Sequence, residues 1–153
     1  VFLFAANLAK LSGVMKQAQH QIALQTDGRG LVDITREIAE WVSGQAIGVG
    51  LLTLFCRHTS ASLLIQEDAD PSVLNDINTF LERIAPDDAS LYRHNTEGAD
   101  DMPAHIRTML TQTHLSIPVS GGEMVLGTWQ GIYLFEHRVS GHRRNLAVHL
   151  IGQ

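Results

Sequence analysis

A chain of 153 residues with 44% hydrophobic residues fits one globular domain and excludes a disordered chain. Its net charge of −5 argues against a nucleic-acid binder, which presents clustered basic residues. Cys56 is the only cysteine, so an internal disulfide is excluded and a reducing, cytoplasmic setting is the expectation.

The opening stretch VFLFAANLAKLSGV is apolar but lacks the basic start and cleavage site of a signal peptide. Its apolar runs are too short to span a bilayer, so no membrane partner is expected. Residues 1–14 are read as an addition from expression or upstream translation, or else as an N-terminal arm. A single domain is expected over residues 15–153. Residues 17–26 alternate and predict a strand, closed by the turn Asp27-Gly28-Arg29-Gly30. Asp33 is placed to cap a helix whose apolar positions are Ile34, Ile38, Trp41 and Val42.

The dense apolar run at residues 47–57 predicts a central strand. A second strand follows in SASLLIQE. Asp70-Pro71 then opens a helix with an apolar stripe of Val73, Leu74, Ile77, Leu81 and Ile84. Residues 92–102 are polar and irregular, and a third helix is expected from about Pro103 to Gln112 with Ile106, Met109 and Leu110 inward. The hairpin signal Ser120-Gly121-Gly122 and two further strands, TWQGIYLFEHRV and RRNLAVHLI, complete the chain. The order predicts an α+β fold: a β-rich, sandwich-like, mixed or antiparallel sheet with about three short helices. It is too short for a TIM barrel, which takes about 250 residues.

Chemistry concentrates in few places. The segment from His94 to His105 holds two histidines and the carboxylates Glu97, Asp100 and Asp101. Looping from His94 to the helix start could bring both imidazoles onto one divalent cation, with imidazole suiting Zn and carboxylates suiting Mg. A polar loop with a capping Asp and a solvated His explains the same residues. Arg57-His58-Thr59-Ser60 ends an apolar strand in polar side chains, as strands that line a site often do, although a core histidine bonded to backbone is an equal reading. No G-x-S-x-G elbow surrounds Ser60 or Ser62, and no phosphate loop occurs. Cys56 is read as packing. In the strand around 128–139, both faces carry large apolar residues, so Glu136 is at risk of burial and needs a cation. Arg138, Arg143 and Arg144 are near in sequence. They could pair internally with Glu136, fixing two adjacent strands, or grip phosphate.

HTSASL at 58–63, DPSV at 70–73, YRHNTEGADDMPAHI at 92–106, GTWQGIYLFEHR at 127–138 and the terminal RRNLAVHLIG together resemble the YjbQ family across nearly all of residues 15–153. The match departs at Gln66-Glu67-Asp68, where the family pattern carries Asn-Glu-Asn. The resemblance implies a homotrimer, a pocket near the subunit contacts where His58, His94 and His105 meet acidic residues, and a secondary thiamine-phosphate synthase activity. That reaction joins a pyrimidinylmethyl diphosphate to a thiazole phosphate and releases diphosphate. The expected assignments follow. His94, Asp101 and His105 hold a divalent Mg or Zn ion. His58 and Glu136 take part in catalysis. Thr59, Ser60, Arg138, Arg143 and Arg144 bind the phosphorylated metabolite. A hydrolase or lyase acting on another phosphorylated metabolite, and a non-catalytic metal- or metabolite-binding trimer, are the alternatives.

Overall fold

The computed structural model describes residues 13–153, so the expectation for residues 1–14 falls almost wholly outside the described residues. Eight strands and three helices follow one another as β1 (Lys16–Gln25), β2 (Gly30–Asp33), α1 (Thr35–Ser43), β3 (Val49–Cys56), β4 (Ala61–Glu67), α2 (Pro71–Ile84), α3 (Asp101–Leu110), β5 (His114–Ser120), β6 (Glu123–Met124), β7 (Gln130–Glu136) and β8 (Arg143–Gly152). A short 3₁₀ turn at Ala89–Leu91 lies between α2 and α3. All strand pairs are antiparallel. They form a five-stranded sheet in the order β1-β8-β3-β5-β6 and a three-stranded sheet in the order β2-β7-β4.

The two sheets face each other across one core. Period-two alternation sends Leu52, Leu54 and Cys56 of β3 and Leu146, Val148 and Leu150 of β8 inward from the larger sheet. Ala61, Leu63, Ile132 and Leu134 meet them from the smaller one, and Ile34, Ile38 and Val42 of the α1 segment close one side. β7 is covered on both faces as its composition predicts: every residue from Gly131 to Glu136 is buried. Asp70 caps α2 as expected, its Oδ1 accepting from the Ser72 amide at 2.9 Å.

Several expectations need correction. The short strand β2 was not anticipated; it pairs with β7 and takes in Gly30, the last residue of the expected turn. Asp33 bonds the Thr35 amide at 2.8 Å, but it is the last residue of β2 and Ile34 occupies the cap position. β3 is the central strand of the larger sheet, as expected, and its outer face leaves Val49, Leu51 and Phe55 exposed. Ile84 is exposed at the end of α2. α3 begins at Asp101 rather than Pro103 and is rotated: Asp101, Ala104, Arg107 and Thr108 face inward while Met109 and Leu110 face outward. Ion pairs made by Asp101 and Arg107 set that rotation against the apolar pattern. Finally, β7 and β8 are successive in the chain but lie in different sheets.

Glu136 and Arg144 therefore join the two sheets instead of two neighbouring strands. Glu136 is fully buried and accepts from Arg144 Nε at 2.7 Å and Nη2 at 2.5 Å, Thr26 Oγ1 at 2.8 Å and the Arg138 amide at 3.0 Å. Arg144 Nη2 also donates to the Ser60 carbonyl at 3.3 Å, which brings in the entry to β4. Burial alone pushes the Glu136 carboxyl upward, but the Arg144, Arg138 and Thr26 hydrogen bonds outweigh it and hold it below its ordinary 4.5. The stability this gives is complete above that ordinary value and is lost as pH falls through the lowered one. Replacing Arg144 by Met strands a buried charge, and denaturant unfolding should show a loss of about 3–5 kcal/mol at neutral pH. A loss near zero would mean that the pair does not join the sheets as described.

Candidate functional site

The polar segment ahead of α3 is folded back on itself by Gly98, whose φ of +114° favours glycine. The turn presents three acceptors to one guanidinium. Arg138, just past β7, donates from Nε to Asp100 Oδ2 at 3.0 Å, from Nη2 to the Glu97 carbonyl at 2.8 Å, and from Nη1 to Asp101 Oδ1. Asp100 does not cap α3 with its side chain; it takes the Val139 amide at 2.9 Å as well as Arg138. Burial raises the Asp100 carboxyl, yet the Val139 amide and Arg138 bring it below its ordinary range.

Arg138 thus fixes Asp101, which is only 3% exposed. With Oδ1 taken, Oδ2 is left facing two imidazoles. His94 Nε2 lies 2.8 Å from it and His105 Nε2 3.5 Å, the latter because positions four apart share a helix face. The three prospective ligand atoms lie within 4.8 Å of one another. Around a Zn ion with bonds of about 2.1 Å, neighbouring ligand atoms sit roughly 3–3.5 Å apart. Oδ2 is buried and has no hydrogen-bond partner among the described residues, although His94 Nε2 stands 2.8 Å away. On the other side, His105 Nδ1 lies 3.0 Å from the Thr59 carbonyl, which can only accept, so Nδ1 carries the ring proton. In the neutral ring, Nε2 then offers a lone pair toward a buried carboxylate oxygen. A cation relieves that opposition, and a histidine oriented through its second nitrogen by a carbonyl is a common feature of metal sites.

The remaining predicted residues are placed differently. Glu136 and Arg144 are spent on each other behind this site, and Arg138 on Asp100 and Asp101. Arg143 is exposed. His58 continues the inward face of β3, and its Nε2 accepts the Asn145 amide at 2.8 Å. Burial and the Arg144 charge lower its pKa. It lies outside the three-residue cluster. Thr59 enters through its backbone carbonyl. Ser60 accepts from Arg144 and from the His137 amide through its own carbonyl. Cys56 is buried, and desolvation pushes its thiol up to about 11, in keeping with a packing role.

Sequence reasoning assigned nothing to a second polar group. His137 is fully buried, pairs with Ser62 Oγ at 2.8 Å and packs at a tilt of 46° against the Phe135 ring. Its Nδ1, Nε and Nη1 of buried Arg107, and Thr108 Oγ1 all lack partners among the described residues. The available signal was strand parity: His137 follows Glu136 and so faces the opposite way, toward the helices. Desolvation, reinforced by Arg107, pushes the His137 ring down to about 3. Because the unfolded ring titrates near 6.5, the unfolded chain binds the proton that the folded one refuses. Stability should fall between these values by up to about 1.4 kcal/mol per pH unit, and His137→Asn should remove that part of the slope in urea unfolding. An unchanged slope would show that the ring is protonated in the fold.

A family model described as UPF0047 protein YjbQ-like matches residues 20–153. A UPF0047 protein of Synechocystis is 46% identical over 142 residues, spanning 93% of this chain and 97% of that one. The UPF0047 protein YjbQ of Escherichia coli O157:H7 is 41% identical over 136 residues, spanning 88% and 98%. A crystal structure of a YbjQ-like protein of unknown function from Sulfolobus solfataricus superposes with a TM-score of 0.84 at 26% identity, covering 92% of this chain and 100% of that one.

Proposed function

Since the chain belongs to the YjbQ-like UPF0047 family, we propose that it holds a divalent cation at His94, Asp101 and His105 and acts on a phosphorylated metabolite. The observation that carries this is Asp101 Oδ2: buried, without a donor, and faced by two imidazole nitrogens. The donor set suits Zn or a similar transition metal better than Mg, which favours oxygen ligands and retained water. When bound, such an ion supplies Lewis-acid charge for a phosphate or diphosphate oxygen. Arg138 is a positioning residue that holds Asp101 in place through Oδ1. The Thr59 carbonyl sets the tautomer of His105.

The reaction we place first is the one the family resemblance implies, formation of thiamine phosphate. The carbon–oxygen bond to the diphosphate breaks, diphosphate leaves with the electron pair, and the thiazole nitrogen forms the new carbon–nitrogen bond. Hydrolysis or elimination on another phosphorylated metabolite needs the same cation and is the rival outcome. Full-length protein stripped with a chelator and titrated with Zn or Mn should bind about one ion per chain and gain thermal stability. Asp101→Asn should abolish both effects. No uptake by either protein would sink the metal reading, leaving a proton to pair the His and Asp side chains. For the reaction, the metal-loaded chain should release diphosphate from the pyrimidine and thiazole precursors above a His94→Ala/His105→Ala control. Turnover of other phosphoesters alone would favour the rival.

We propose also that the chain is a homotrimer in the cytoplasm. Among the described residues, no helix is long and apolar enough to cross a membrane. The outer face of the five-stranded sheet exposes Val49, Leu51, Phe55 and Ile151 together, the kind of patch that marks an association surface. Light scattering should give the mass of three chains, and Leu51→Glu with Phe55→Glu should give one. A wild-type monomer would refute the assembly.

A further inference from the structure

We infer that the groove beside residues 57–60 is the phosphate subsite of the proposed reaction and that Arg57 is its cation. This rests on the phosphorylated-metabolite reading above. Two of the three arginines that the sequence offered for phosphate are committed to buried or half-buried carboxylates. Arg57 is not: it is exposed, and its guanidinium has one polar contact among the described residues, to Gln21 Oε1 at 3.5 Å. It lines a groove with His58, Thr59, Ser60 and Thr113 on its polar side and Phe55 and Cys56 on its apolar side, and no residue in that lining is acidic.

The groove is rich in donors. Accepting the Asn145 amide at Nε2 leaves the neutral His58 ring with its proton on Nδ1, free to donate. Three hydroxyls and a guanidinium accompany it. A guanidinium and hydroxyls with no carboxylate among them suit a dianionic phosphoryl group on the polar side of the groove. The subsite also adjoins the cation cluster, since the Thr59 carbonyl is the group that orients His105. Thr59 is therefore shared between the groove wall and the cation cluster.

The test titrates inorganic diphosphate by calorimetry into the full chain, stripped of metal and loaded with Mn, for wild type, Arg57→Gln and Arg57→Lys. The expected result is binding by wild type, a loss of about 10-fold or more in Arg57→Gln, and partial retention in Arg57→Lys. Mn stoichiometry should be the same in all three. Equal diphosphate affinity for wild type and Arg57→Gln overturns the inference, as does no binding by wild type. So does a change of oligomeric mass in Arg57→Gln with affinity intact, which would make Arg57 an interface residue. Failure of Mn to bind, with Arg57-dependent diphosphate binding intact, would instead strike the metal reading and leave the subsite standing.

Discussion

A buried carboxylate survives in a protein interior only if enough donors replace the water it has lost, and the sandwich is organised around one such carboxylate. Glu136 ends the middle strand of the small sheet, and Arg144 lies at the start of the strand next to the centre of the large one. Their two-pronged contact, with Thr26 beside β1 and the Ser60 carbonyl before β4, brings four chain segments to one point. The apolar core holds the sheets together without direction. The ion pair adds direction, because a guanidinium fork meets a carboxylate in few geometries. The end of β7 is thereby fixed, and with it Arg138 two residues further on.

Arg138 carries that order to the surface. It binds Glu97, Asp100 and Asp101 at once and converts an irregular polar stretch into a defined turn. The rotation of α3 follows from the same contact. An apolar stripe would have turned Met109 and Leu110 inward, but a buried Asp101 with one oxygen on Arg138 turns the helix the other way. Leaving a buried Asp101 uncompensated would cost about 3–5 kcal/mol, comparable with the about 1.5–3 kcal/mol that burying each apolar side chain would contribute. Met109 and Leu110 are left exposed on α3, as Val49, Leu51 and Phe55 are on the outer face of β3, and both are surfaces on which another chain could pack.

The arginines show how residue type and role come apart. Three arginines near a suspected carboxylate can grip a substrate phosphate or hold the protein together, and the sequence offers both roles equally. Here Arg144 and Arg138 are spent on internal carboxylates, while Arg57, which motif reasoning passed over, stands exposed beside hydroxyls. The donors of buried Arg107 and the orphaned nitrogen of His137 form another polar layer, between β7 and the helices. Its place in the proposed reaction is none that the geometry requires.

Much was legible from residue order alone, since local physics writes it there. The alternation in β1, the apolar density of β3, the Asp-Pro start of α2, the Gly-Gly hairpin and the two-sided burial of β7 are short-range signals, and each element formed near its predicted bounds. The nearness of His94, Asp101 and His105 was also foreseeable, because a loop running into a helix start can hardly keep them far apart. Only the tertiary structure decided which sheet β8 joins, which way α3 turns, and which arginine meets which acid. Those outcomes depend on contacts between residues distant in the chain, such as Arg29 with Asp87 and Arg138 with Asp101. A pattern of periods and caps records what each segment prefers alone; it holds no record of the charge that will face it once the chain has closed.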